Sequence, residues 1–522
     1  MSAAASYEAL TPTSFLLRSG QVYADRDAVI DGERRYTYAE FLDRCLRLGG
    51  ALRNMGIGEG GRVAVLAPNS HVLLESHYGV PYGGAVLVAL NTRLTAGDLS
   101  FIVEHCGAQV LIYDYEFEHV AKDIAAQAGD GLRLVRAGRP DDQYERLLTS
   151  ASPYHRDVSD ERSLLSINYT SGTTGKPKGV MYHHRGAYLQ ALAMALETRH
   201  DCNSTFLWTL PMFHCNGWCF TWGVTAAGAA HLCLRKLDPG VVWTHLRDSN
   251  VTHFNAAPTV LVMLAWHAAA ARLSRTVRVA TGGAPPTPAM LQRMAELGMD
   301  VTHLYGLTET FGPAAICEWR GEWNNLTIGE QAQIKARQGV GNVISHQLRV
   351  VDARGKDVPA DGETLGEIAL RGNNVMLGYY QDEIATRKAI PDGWFRSGDL
   401  GVMHPDGYIE LKDRTKDIII SGGENIASIE IERTLSTHPA VMEAAVVAGP
   451  DPKWGEVPVA FVTLKSGAAA TEDELVAYSR QRMAHFKAPK RVVFGELPRN
   501  ATGKIQKFVL RDRAKQLMKT SS

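Results

Sequence analysis

Two stretches of the chain carry residues whose types and spacing suit chemistry. The first is YTSGTTGKPKGV, Tyr169 to Val180, which follows the apolar run LLSIN. Its Ser, Gly and Thr residues supply backbone N–H groups and hydroxyls that can converge on phosphate oxygens, and Lys176 and Lys178 add positive charge. Thr170, Ser171, Gly172, Thr173, Thr174, Gly175 and Lys176 therefore read as a phosphate cradle. A Walker A loop is excluded, because there GK is followed by Ser or Thr, whereas here Pro177 follows and the upstream spacing differs. The second stretch is FHCNGWCF, Phe213 to Phe220, with a histidine, two cysteines, an asparagine and a tryptophan in an apolar region. It could serve as a metal site, a nucleophilic centre or the wall of a pocket. Zinc would ask for three or four ligands, and His214, Cys215 and Cys219 lack a second CxxC or HxxxH partner in sequence.

Positioning these stretches takes more than one core. At 522 residues the chain exceeds the ~250 to 300 at which a single core stops growing. From Tyr36, amphipathic helical segments (YAEFLDRCLRLGGALRNMGI) alternate with short apolar runs (RVAVLAP, AQVLIYD) bounded by Gly, Pro and Asn. That rhythm predicts βαβ units and a largely parallel sheet. It resumes past Phe206 in THFNAAPTVLVMLAW and VRVATGGAPP, which predicts a second sheet of the same type. Near Gly341 the texture shifts to short strands with DG and PDG turns, an antiparallel β subdomain. After Asp417 come a helix, two strands and a helix, a small α+β domain. The fold class expected is α/β, with an N-terminal domain over 1–413 and a C-terminal one over 414–522.

Composition narrows the function classes. A net charge of −1 and a pI near 7.0 provide no global field toward nucleic acid or an anionic membrane, so any anion must be held locally. Seven cysteines without a CxxC pair, and no secretory signal, suggest free thiols in a reducing compartment, the cytosol by default. The terminal KTSS is neither a peroxisomal nor a prenylation tail. Apolar runs such as VPYGGAVLVAL fall short of the ~20 residues that span a bilayer, so a soluble protein is expected.

Tyr169 to Val180 resembles the fingerprint loop of the adenylate-forming superfamily of acyl-CoA synthetases, luciferases and nonribosomal-peptide adenylation domains. Six further motifs stand in the family's order: LPMFH (Leu210 to His214), TGGAPP (Thr281 to Pro286), YGLTET (Tyr305 to Thr310), WFRSGDLG (Trp394 to Gly401), KDRTKDIIISGGENI (Lys412 to Ile426) and PRNATGKIQK (Pro498 to Lys507). The resemblance implies an AMP-forming acid:CoA ligase that uses ATP, Mg²⁺ and CoA. It puts Glu309 on Mg²⁺, a hard cation suited to carboxylate. Thr308 would bond the α-phosphate, with Gly306 in the same motif. Tyr305, Gly283, Ala284 and Pro285 would enclose adenine, and Asp399 and Arg414 would hold the ribose and phosphate. Lys504 resembles the lysine that stabilises charge as the acyl-adenylate forms. Lys416 lies at the family's hinge, about which a mobile C-terminal lid turns to bring Ser421, Gly422, Gly423 and Glu424 to the CoA channel.

The same resemblance resolves FHCNGWCF as pocket. His214 would gate the pantetheine channel, and Asn216, Trp218 and Gly282 would line the acyl site, with Trp218 and Trp222 narrowing it. Amino acids are disfavoured, since Phe213 is followed by His214 and not by the aspartate that would pair a buried ammonium. The spelling HCNGWCF is most similar to ligases of short-chain, medium-chain or aryl acids, including methylmercaptopropionate-CoA ligases, and a thioether suits a Trp-lined slot. Two alternatives stand beside this reading: a ligase that loads a carrier protein, and a catalytically silent adenylate-binding protein on the same fold. Homodimers are common in the family.

Overall fold

A computed structural model describes residues 7–170, 177–284, 286–414, 417–422, 424–499 and 505–519. Among these the strands form four sheets. One has six strands in the order Arg133–Ala137, Val110–Asp114, Arg62–Leu66, Val86–Ala89, Leu164–Thr170, Lys178–His183. Every pairing is parallel except the last, a hairpin in which Thr170 faces Lys178. RVAVL and VLVA are apolar without alternation because helices cover both faces, as parallel sheets require. Capping boxes start two of these helices, Thr37 with Glu40 ahead of Tyr38–Asn54 and Thr95 with Asp98 ahead of Ala96–Cys106.

The second sheet has nine strands, of which the six central ones run parallel: Met299–Leu307, Val277–Thr281, His253–Ala256, Thr205–Leu207, Ala230–Leu232 and Asp27–Asp31. Arg34–Thr37 closes one edge and Gly312–Ile316 with Val340–Gly341 the other, all antiparallel. The helix His71–Tyr82 is buried at every residue and packs on strands of both sheets. Its buried polar side chains are partnered within the fold: Glu75 pairs with Arg44 at 2.6 Å, and Ser76 and His77 bond carbonyls one turn back. The two α/β layers expected from the sequence are present, and the N-terminal Asp27–Asp31 joins the second of them.

Four antiparallel strands, Arg349–Val351, Gly366–Leu370, Phe395–Met403 and Ile409–Arg414, make the third sheet. The fourth consists of Ile419–Ser421, Glu424–Ile426, Val441–Asp451, Gly455–Leu464 and Arg491–Phe494, flanked by the helices Ser428–Ser436, Glu472–Arg480 and Lys507–Lys519. Polar ties join these last two sheets: the Ser428 N–H donates to Asp413 Oδ2 at 2.5 Å, and Arg433 bonds Glu410 at 2.5 Å.

Candidate active site

Three of the motif loops leave the carboxyl ends of parallel strands of the second sheet. LPMFH follows Thr205–Leu207, TGGAPP follows Val277–Thr281, and YGLTET ends Met299–Leu307. In open α/β sheets that edge is where ligands sit. Thr308–Thr310 forms a single 3₁₀ turn, pinned by the Thr310 hydroxyl, which donates to the Gly312 carbonyl at 2.7 Å. Gly306 is required there, because a Cβ would lie 2.0 Å from the Gly312 carbonyl oxygen.

The Glu309 carboxylate accepts from the Tyr379 hydroxyl at 2.8 Å, and the Tyr182 hydroxyl donates to the Thr308 carbonyl at 2.7 Å. Tyr379 reaches this place because residues 377–380 run beside the strand Lys178–His183, with Tyr380 N–H on Gly179 O at 2.7 Å and Leu377 N–H on Met181 O at 3.0 Å. Its ring also stands 4.7 Å from the Lys178 ammonium. Burial, reinforced by Glu309, pushes the Tyr379 phenol well up, so it stays a donor. Tyr379 thus stands between Glu309 and Lys178, beside the Thr170–Lys178 pair.

Asp399 and Arg414 are register partners across two strands of the third sheet, and Arg414 Nε lies 3.3 Å from Asp399 Oδ1. The Tyr305 hydroxyl donates to Asp399 Oδ2 at 2.8 Å, while burial and then Asp399 raise the phenol far above its usual range. The carboxylate is therefore fixed from both sides. Gly283 and Ala284 are exposed, and Gly283 has a φ of +87°, which favours glycine. Ser421 pairs with Glu424, and Gly422, at φ +60°, donates its N–H to the Trp454 carbonyl at 2.8 Å. Ser171 to Lys176, Pro285, Lys416, Gly423 and Lys504 lie outside the described residues.

FHCNGWCF folds into a left-handed turn. Cys215, Asn216, Gly217, Trp218 and Cys219 have φ values of 52°, 45°, 60°, 56° and 62°. For L-residues this conformation costs roughly 1–2 kcal/mol apiece, so the surroundings must over-determine it. They do so from several sides. Ser166 Oγ donates to Asn216 Oδ1 at 2.7 Å, Asn168 Nδ2 donates to the same oxygen at 2.6 Å, and Asn168 Oδ1 accepts the Asn216 N–H at 3.2 Å. The Thr221 hydroxyl donates to the Asn216 carbonyl at 3.0 Å. Trp208 packs so closely under Gly217 that a Cβ there would meet its ring at 2.6 Å.

The turn sets its side chains around the YGLTET and TGGAPP loops. Cys215 Sγ lies 3.4 Å from Thr308 Oγ1 and 3.7 Å from His214 Nε2, and Cys219 Sγ lies 3.6 Å from the Phe311 carbonyl. A Cβ on Gly282 would stand 3.1 Å from the Trp218 ring, and one on Gly312 would stand 3.2 Å from it. Trp218 therefore lies against two glycines that leave room for it. Trp222 is wholly buried and donates its indole N–H to the His77 carbonyl at 3.3 Å. Burial holds the Cys219 thiol well above its ordinary range, which leaves no thiolate for nucleophilic work.

The AMP-binding enzyme family matches residues 16–380, and the AMP-binding enzyme C-terminal domain matches residues 430–504. The chain belongs to the AMP-binding enzyme family. Curated relatives of this AMP-binding enzyme include acetate–CoA ligase CCL3 of Humulus lupulus, 45% identical over 98% of this chain and 96% of that one. A second is 4-hydroxybutyrate–CoA ligase 2 of Metallosphaera sedula, 43% identical over 98% and 95%. Among solved structures, ATP-bound MatB from Rhodopseudomonas palustris superposes with a TM-score of 0.87 at 26% identity, covering 98% and 99% of the two chains. The AMP-binding enzyme is an acyl-CoA synthetase that uses ATP, Mg²⁺ and CoA. Among its described residues no helix is long and apolar enough to cross a membrane.

Those residues also contain no group of three or more His, Cys, Asp or Glu placed to hold a metal. One carboxylate on a short turn suits Mg²⁺, which is commonly held by one or two carboxylates together with substrate phosphates. Tyr379, Tyr182, Ser166 and Asn168 are parts of this site that sequence reasoning missed. Isolated tyrosines in LGYY and MYHH carry no spacing signal. Ser166 and Asn168, two apart on a strand that enters the cradle, share one face, and that period was the available clue.

Proposed function

We propose that the acid activated by this ligase is compact: a short-chain aliphatic acid first, with methylthio-substituted acids such as 3-methylmercaptopropionate, medium-chain and aryl acids as the neighbouring class. The observation that carries this reading is the Trp218 indole lying against Gly282 and Gly312, a rigid ring filling the space beside TGGAPP. Large rings remove pocket volume at low entropic cost. Acetate and 4-hydroxybutyrate, in the names of the two relatives, are acids of this size.

In the adenylation step a carboxylate oxygen attacks the α-phosphorus, the bond to the β-phosphate oxygen breaks, and pyrophosphate leaves. Thr170 through Lys176 cradle the phosphates, Thr308 bonds the α-phosphate, and Lys504 neutralises the charge that develops between acid and phosphate. Glu309 would hold Mg²⁺, which would supply charge neutralisation at the phosphate oxygens. Asp399 accepts from the ribose hydroxyls while Tyr305 and Arg414 keep its carboxylate from turning, and Tyr305, Gly283, Ala284 and Pro285 enclose adenine. In the second step the CoA sulfur attacks the acyl carbon and AMP leaves. His214 gates that path, and the lid, 414–522 turning about Lys416, brings Ser421 to Glu424 to the channel. The reaction is assigned to the cytosol, a setting consistent with seven free thiols.

Pyrophosphate release with ATP, Mg²⁺ and a panel running from acetate to palmitate, with 3-methylmercaptopropionate and benzoate, tests the reading. The expected optimum in kcat/KM lies at or below six carbons or at the methylthio acid. An optimum at palmitate overturns it.

A further inference from the structure

The left-handed turn touches three functional neighbourhoods at once, and one side chain holds it from beneath. Asn168 stands two residues before Thr170, on the strand that runs into the phosphate cradle. It grips Asn216 twice, accepting its backbone N–H and donating to its carboxamide oxygen, while Ser166 on the same strand face donates to that oxygen too. Ser166, Asn168 and Asn216 are all at least 98% buried. Asn216 Nδ2 is left without a hydrogen-bond partner in this buried place. An amide in that state is held where it is by its other bonds, since a rotation that paired Nδ2 would otherwise be favoured. At its ends the turn carries His214 and Trp218, and Cys215 meets Thr308.

We propose that Asn168 is a positioning residue: it ties the strand entering the phosphate cradle to the left-handed turn, and so fixes where the His214 imidazole and the Trp218 indole stand. Selectivity for the acid, and the share of acyl-adenylate that goes on to thioester, then depend on a residue that touches neither acid nor CoA. This rests on the acyl-pocket and gate roles proposed above for Trp218 and His214.

The test compares the wild type with Asn168→Ala and Asn216→Gly. The glycine variant removes the carboxamide while making the left-handed backbone conformation easy, so loss of fold and loss of the tie are separated. Acetate, butyrate, hexanoate, octanoate and palmitate serve as substrates, with AMP and acyl-CoA both quantified. Both variants are expected to keep the wild-type KM for ATP. They lose about 10- to 100-fold in kcat/KM for the preferred acid, the scale of an ångström of misplacement. The preference across the ladder flattens, and AMP exceeds thioester as adenylate escapes to water. Wild-type ladder ratios and wild-type AMP-to-thioester stoichiometry in both variants would overturn the proposal, whatever their thermal midpoints. A wild type that prefers palmitate sinks the compact-acid reading instead, and the tie is still read from the change in ratio between wild type and variants.

Discussion

Glu309 takes its orientation from Tyr379, and that bond sets the first prediction. A hydrogen bond to a charged group contributes about 1.5–3 kcal/mol, and each 1.36 kcal/mol is tenfold in rate or binding. Tyr379→Phe is therefore expected to raise the Mg²⁺ concentration for half-maximal pyrophosphate release by about tenfold with the fold intact, while Glu309→Gln abolishes more of the rate than any Mg²⁺ addition restores. A magnesium titration of both variants checks this, and an unshifted curve for Tyr379→Phe removes the tyrosine from the site. Trp218 supports a second prediction. Replacing it by alanine opens volume beside Gly282 and Gly312. Each methylene newly accommodated is worth about 1–3 kcal/mol, so the preferred chain should lengthen, with octanoate gaining roughly 10-fold or more on butyrate.

At the scale of elements, the sequence spoke clearly where local pattern and tertiary role coincide. Runs such as RVAVL and VLVA are apolar without alternation and became central parallel strands, and the PDG of 405–407 became the turn between two strands of the antiparallel sheet. YTSGTTG read as a phosphate loop without showing that the strands on either side of it, Leu164–Thr170 and Lys178–His183, pair antiparallel. The left-handed turn was illegible because CNGWC offers one glycine, and the groups that force the rest lie 48 and 50 positions earlier. Asp27–Asp31 was equally hidden, since its parallel partner Ala230–Leu232 is distant in sequence. The proposed hinge yields a prediction at this scale. If the C-terminal unit turns between half-reactions, Lys504→Ala should cut adenylation by at least about 100-fold, the scale of losing one oriented charge at the transition state. Thioester formation from preformed acyl-adenylate should stay near wild type. Equal loss of both half-reactions would refute the two-orientation scheme.

Across the whole molecule, a buried ionic network joins the two α/β layers, and its protonation makes stability depend on pH. Asp31 at the end of a second-sheet strand bonds His71 Nδ1 at 2.6 Å, and Glu145, on a helix beside the first sheet, takes Arg44 through two contacts of 2.9 Å and lies 3.7 Å from His71 Nε2. Burial alone would raise Glu145, yet its bonds to His71 and Arg44 outweigh that and hold it at about 2. Its contribution is thus present above the ordinary 4.5 and is lost as pH falls toward 2. For His71 burial works against the charged form and Arg34 Nη1 at 2.9 Å opposes it too, but Asp31, Glu145 and the charge of Glu75 prevail, so its proton is held more tightly than usual. That contribution is complete below 6.5 and is lost as pH rises through the raised value. Thermal midpoints measured across pH should therefore fall on both flanks. Glu145→Gln should flatten the acid flank and His71→Gln the alkaline one, each lowering stability near neutrality or just below it by about 1.5–3 kcal/mol, the scale of a charged hydrogen bond. An alkaline flank unchanged in His71→Gln would mean that the histidine is neutral, with Nε2 accepting from Arg34 and only Nδ1 bound to Asp31.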